Sequence, residues 1–213
     1  MAIGILTAAG VVGVILFALL LIFRRDLVGV DLSGRSLLRM YLFLASLAGV
    51  IVLALGVAAT LTWGMASLFG MNAAYDRVPG MPEAELLAQK DQDLLRGLTL
   101  AVFGLLFWGG HRIGRGRLGD DGASVLRRAY DVLGTFVFGL ATVILLPVGI
   151  YQALAVAILE PMANVFRQGF GDALAGGIVA VPIWLTYLLR VIRAVPAEKP
   201  SAIAGRPAPA AAH

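Results

Sequence analysis

Residues 37–69 read LLRMYLFLASLAGVIVLALGVAATLTWGMASLF, an apolar run whose one charged side chain is Arg39. About 20 helical residues cross the hydrocarbon of a bilayer, so this run is longer than a span and is predicted to tilt or to emerge from the hydrocarbon. Four further apolar runs surround it. Ile3–Phe23 precedes it, and Gly97–Gly110, Tyr130–Leu159 and Ala173–Leu189 follow, the last two containing Pro147 and Pro182. The first has no basic segment before it and is followed by Arg24 and Arg25 without a small-residue cleavage site, which reads as an uncleaved anchor. The chain is therefore expected to be all-α, an integral membrane bundle of five transmembrane helices. Pro147 is expected to free the carbonyl of Val143 and bend its helix.

Composition excludes the main alternatives. Of 213 residues, 60% are hydrophobic and 14% are charged, more apolar surface than a soluble domain of this length can hide. No stretch is long enough for a separate soluble domain of ordinary size. Lys and Arg outnumber Asp and Glu, 17 to 13, which in a soluble protein would suggest nucleic acid. Here the surplus serves orientation instead, and no nucleic acid partner is expected. Cysteine is absent, so disulfides, thiolate metal sites and iron–sulfur clusters on this chain are excluded.

The basic residues sort by side. Arg24, Arg25, Arg35 and Arg39 lie in one connection, and Arg112, Arg115, Arg117, Arg127 and Arg128 in the next but one. Arg190, Arg193, Lys199 and Arg206 follow the last span, while the alternate connections hold Arg77, Lys90, Arg96 and Arg167. The positive-inside bias places the richer set in the cytoplasm, with the N-terminus outside and the C-terminus inside. Tyr41, Trp63, Trp108, Tyr130, Tyr151 and Trp184 then fall near span ends, where amphipathic rings favour the interface.

The second half echoes the first. Gly34-Arg-Ser36-Leu-Leu-Arg39 and Gly122-Ala-Ser124-Val-Leu-Arg127 open matching spans, each with a serine placed to cap a helix. Trp108-Gly-Gly-His111 and Trp184-Leu-Thr-Tyr187 close the returning ones. Gly97, Ala101 and Gly104 correspond to Ala173, Gly177 and Ala180, small residues that let helix backbones approach in lipid. The predicted organisation is an anchor and cytoplasmic loop (1–33), then a four-helix membrane domain (34–193) made of parallel hairpin repeats at 34–117 and 122–193. A disordered Pro- and Ala-rich cytoplasmic tail (194–213) follows.

The arginine-rich openings with a tyrosine near Arg39 and Arg127, and the Trp-x-x-His111-Arg112 closing, resemble an uncharacterised family of multi-spanning bacterial membrane domains of unknown function. The resemblance covers roughly residues 34 to 193. It implies a bacterial inner-membrane protein with a repeated hairpin and supplies no activity. Tyr187 stands where a second histidine would complete the pattern.

Between the second and third spans, Pro82 followed by Glu83 and Glu85 suits a helix start. Because Lys90 and Asp91 lie close to the line of Leu87 and Leu94, this extension is expected to be solvated. The spans themselves are nearly free of ionisable groups. Glu160, Arg167 and Asp172 read as a solvated turn with an ion pair, and Asp131 as a partner of Arg127 or Arg128. Thr60, Thr62, Thr142 and Gln152 are polar residues that could line a cavity, although a helix can satisfy each hydroxyl on its own carbonyls. No phosphate-binding Gly loop, His-Glu-x-x-His or Gly-x-Ser-x-Gly is present. The candidate cluster is Trp108, His111, Trp184 and Tyr187, an interfacial group or the mouth of a ligand site. The function expected from these features is a non-catalytic accessory or scaffolding subunit of a larger membrane complex, with no cofactor, whose partners are the bilayer and other membrane subunits. The alternative is a small-solute or ion transporter built from the repeated hairpins.

Overall fold

A computed structural model describes residues 34–118, 123–159 and 166–194. The first apolar run, the tail beyond Ala194 and Glu160 lie outside the described residues. The helices are α1 (Gly34–Phe69), the short α2 (Met71–Ala74), α3 (Glu83–Arg117), α4 (Ala123–Ile158) and α5 (Gly171–Ala194). Among the described residues there is no strand, and α1, α3, α4 and α5 are long and apolar enough to cross a membrane. At 36 residues, α1 and α4 are each about 54 Å long, against a hydrocarbon core of about 30 Å. Their ends therefore project beyond it.

The expected extension before the third span exists, with Pro82 preceding a helix that begins at Glu83 and carries Glu83 and Glu85 in its first turn. It is less solvated than expected. Leu86 buries against Ala66, Ala74 and Tyr75, and Asp93, two turns further on, is buried as well. The line of Leu87 was the wrong face, because the packing surface is offered by the end of α1 and by α2. Ser36 and Ser124 correct a second expectation. Both helices are already formed at Gly34 and Ala123, so these serines occupy the first described turn and not the cap. Helices α4 and α5 run on through Pro147 and Pro182.

Each hairpin is an antiparallel pair closed by glycines. A Cβ at Gly56 would stand 2.2 Å from the Ala101 nitrogen, one at Gly104 2.3 Å from the Leu53 nitrogen, and one at Gly49 2.6 Å from the Trp108 nitrogen. Along this seam α1 and α3 touch backbone to backbone, as the small-residue spacing predicted. Gly149 and Gly177 do the same between α4 and α5, against Leu174 and Leu146. The larger core is built elsewhere: Leu47, Val50 and Ala54 of α1 meet Val137, Phe138, Ala141 and Leu145 of α4 and Ala180 of α5. Among the described residues helix α1 thus packs on α3, α5 and α4, whereas α3 packs chiefly on α1 and stands at their edge. Its outer face exposes Leu95, Leu98, Val102, Phe103, Leu106 and Phe107.

The connections opposite the helix α1 start are stitched together. Arg77 and Arg167 exchange backbone hydrogen bonds of 2.8 and 3.0 Å, Phe170 N–H donates to Ala73 O at 3.1 Å, and Gly169 N–H donates to the Asp76 carboxylate at 2.9 Å. The solvated turn expected around Arg167 is therefore part of a closed cap over that end. Backbone groups there are satisfied by the other hairpin's loop instead of by water.

Candidate functional site

Antiparallel hairpins bring the start of α1, the end of α3, the start of α4 and the end of α5 to one end of the molecule, and each of these carries arginine. Arg112 with Arg115 and Arg190 with Arg193 are three residues apart, which places each pair on one helix face. The faces converge. They enclose a cavity of about 700 Å³ whose wall includes Arg39 of α1, Arg112 and Arg115 of α3, Arg127 of α4, and Arg190 and Arg193 of α5. Among the described residues Asp131 is the one carboxylate in that wall, and Phe43 and Tyr130 supply its aromatic surface.

Arg115 is the most constrained of these cations. Its guanidinium carbon lies 4.7 Å from the centre of the Phe43 ring and 4.9 Å from that of Tyr130, and it donates to Ser46 Oγ at 3.1 Å. Cation–π attraction of this kind strengthens as water is excluded. Its Nε–H is buried and meets no acceptor within the described residues. Arg39 closes the end of α3 by donating to the Leu118 carbonyl at 3.1 Å, with Arg35 at 3.4 Å from the same oxygen. Asp131 reaches across to Arg190 of α5 at 3.8 Å, and Arg127 of its own helix, the partner expected from the sequence, and Arg115 also act on its charge.

A smaller cavity of about 180 Å³ adjoins the first and shares Arg112, Arg115, Tyr130 and Arg190 with it. Its other walls are mostly apolar: Val50 and Leu53 of α1, Trp108 of α3, and Ile183 of α5. Helices α3 and α5 both pack on α1 but not along each other, so a slot is left between them with α1 as its floor.

The four residues singled out from the sequence are divided by this geometry. Trp108 and Tyr187 line the smaller cavity, and Arg112 lies 5.5 Å over the Trp108 ring. Trp184 packs its indole on Gly139 of α4. His111 turns away: Nδ1 lies 2.6 Å from the Phe107 carbonyl, Nε2 lies 3.3 Å from the Tyr41 hydroxyl, and the ring stacks on Phe107. A neutral ring with Nδ1–H donating and Nε2 accepting satisfies both contacts. Tyr130, read as an interface residue, is instead buried, with its hydroxyl 2.6 Å from that of Tyr187. Thr60, Thr62 and Thr142 bond to carbonyls one turn back on their own helices, as expected, and Gln152 donates to Gln168 at 3.0 Å.

A second polar group, whose members the sequence does not bring together, lies at the capped end. Asp93 pairs with Arg96, and Thr62 Oγ1 lies 3.5 Å from Asp172. Beside them the Tyr75 hydroxyl is buried, and burial together with the Asp93 charge raises its pKa above the ordinary tyrosine range. Compared with models of known families, with curated proteins and with solved structures, the chain gives no match.

Proposed function

We propose that this chain is a non-catalytic, multi-pass protein of a bacterial cytoplasmic membrane that binds an anionic ligand at its inner end and serves as an accessory subunit of a larger membrane complex. The observation that carries the reading is the convergence of arginines from all four long helices on one cavity, in whose wall Asp131 is the one carboxylate among the described residues. Arginine keeps its proton throughout the physiological range, so such a wall binds charge without exchanging protons. The basic end is assigned to the cytoplasm by the positive-inside bias. A bound anion would tie both hairpins together, since its contacts come from both.

The accessory role is supported by α3, which lies at the edge with a long apolar face that a neighbouring transmembrane helix can cover. Reading the hairpins as duplicated copies is supported by Gly177, which meets the backbone of α4 as Ala101, its counterpart in the first hairpin, meets α1. The test has two measurements. In mild detergent, the melting midpoint should rise with multivalent anions at constant ionic strength, and crosslinking before solubilisation should capture a stoichiometric membrane partner. If no anion stabilises the protein, anion binding is wrong. A chain that is never crosslinked to another protein is not an accessory subunit.

The alternative of a small-solute transporter is favoured by the position of the cavity between the two hairpins. Beneath it Leu47, Val137 and Phe138 are fully buried, so a solute would need α4 and α5 to move. Anion flux into reconstituted vesicles, abolished by arginine replacements in the cavity, would select this reading over the first.

A further inference from the structure

Resting on the anion-binding reading above, we propose that the ligand is an anionic phospholipid, with its phosphate in the arginine-lined cavity and one acyl chain in the slot between α3 and α5.

Two observations that are independent of each other define this chemistry. The first is charge. Among the described residues, six arginines and one aspartate line about 700 Å³, and Arg115 is held in place there by Phe43, Tyr130 and Ser46. A planar guanidinium with free donors matches the tetrahedral oxygens of a phosphate, which can take two parallel hydrogen bonds from one arginine and others from its neighbours. The second is continuity. The polar cavity adjoins the smaller one walled by Val50, Leu53, Trp108 and Ile183, with Arg112, Arg115, Tyr130 and Arg190 common to both. A small soluble phosphate fills the first space and leaves the second empty. A phosphate bearing a hydrocarbon chain fills both.

The fold explains why the slot exists. Glycines on α1 and α3 draw these two helices into backbone contact, while α5 reaches α1 through side chains, so α3 and α5 diverge over the α1 surface. Basic pockets between transmembrane helices on the cytoplasmic side are where lipid headgroups bind. The phosphate would lie at headgroup depth because the arginines sit at the ends of helices that outrun the hydrocarbon. The chain would then follow the slot toward the membrane interior.

The test uses the full chain, purified in mild detergent, with native mass spectrometry and melting midpoints as readouts. The probes are phosphatidylglycerol, phosphatidylcholine, oleate, glycerol phosphate and inorganic phosphate. Phosphatidylglycerol should remain bound at one molecule per chain and raise the midpoint, and phosphatidylcholine and oleate should do so at least tenfold more weakly. Arg112→Gln with Arg193→Gln, both at exposed positions of the cavity rim, should weaken phosphatidylglycerol at least tenfold while the helical circular dichroism is kept. Ile183→Trp fills the slot, and should weaken phosphatidylglycerol but not glycerol phosphate. Equal binding of oleate and phosphatidylglycerol would overturn the phosphate assignment and leave the anion-binding reading standing. Glycerol phosphate or inorganic phosphate binding as tightly as the lipid, with Ile183→Trp without effect, would show a soluble phosphate ligand and overturn the lipid. No binding of any probe overturns both readings together.

Discussion

The hydroxyl oxygens of Tyr130 on α4 and Tyr187 on α5 lie 2.6 Å apart, both rings are buried, and Phe138 stacks on the Tyr187 ring. One hydroxyl donates and the other accepts, so each satisfies the other where the two helices approach the cavity. Removing one leaves the other buried without its partner, which costs about 1–3 kcal/mol, whereas removing both replaces two polar groups by apolar surface of the same shape. Tyr130→Phe and Tyr187→Phe should therefore each destabilise the protein, and the double variant should be no less stable than either single one. Unfolding in mixed micelles of increasing SDS fraction measures all three, and additive losses would contradict the pairing.

The α1–α3 seam makes a prediction about volume. Gly56→Ala places a methyl group 2.2 Å from the Ala101 nitrogen, and backbone cannot yield as a flexible side chain does. Overpacking of this kind costs about 1–3 kcal/mol. Gly64, on the same helix, has nothing within 4 Å of such a methyl, so Gly64→Ala should be neutral or slightly stabilising. The same SDS titration separates the two, and equal effects would mean that the seam is looser than described.

Asp131 tests the electrostatics of the cavity. Its carboxylate, 3.8 Å from Arg190, is the one negative charge that the described residues place in a wall with six arginines. Asp131→Asn removes a repulsion on any bound anion on the order of 1 kcal/mol, or roughly fivefold in affinity. Titration of the purified variant with glycerol phosphate or phosphatidylglycerol should show tighter binding. Weaker binding would mean that Asp131 holds Arg190 in its binding position.

Tyr75 gives a pH dependence. Burial and the Asp93 charge keep the folded phenol protonated above the ordinary value of 10.0, while the unfolded phenol ionises there. Above about pH 10 the folded state thus binds more protons than the unfolded one, and stability falls as pH rises. Tyr75→Phe removes this contribution. Its melting midpoint should match the parent at neutral pH and fall less steeply in the alkaline range, and parallel curves for the two proteins would refute the assignment.

Much of the helical framework was legible before any coordinates. The run 37–69 and the three later ones became α1, α3, α4 and α5, because a bilayer demands long uninterrupted apolar helices and little else produces that pattern. The glycine seam was legible too, since close backbone approach leaves a spacing of small residues behind. The candidate site was not. Trp108, His111, Trp184 and Tyr187 were grouped by their common place near span ends, and the rotation of each helix about its axis then sent His111 outward to Tyr41 and Trp184 onto Gly139. That rotation follows from contacts between helices far apart in the chain, which a single sequence does not display. Arg112, Arg115, Arg190 and Arg193 carried a usable sign in their spacing of three, although it was read for sidedness alone.

By itself, the opening stretch with its one charge at Arg39 established a helix longer than a membrane span, because apolar length is a local property of the chain. The tertiary structure decided what Arg39 and the other arginines do. Lipid solvation sorts charges to the helix ends in any membrane protein, but which ends meet, and which faces turn inward to enclose a cavity, depends on packing. Here glycines draw α1 and α3 together, the Tyr130–Tyr187 pair links α4 to α5, and α5 stands apart from α3.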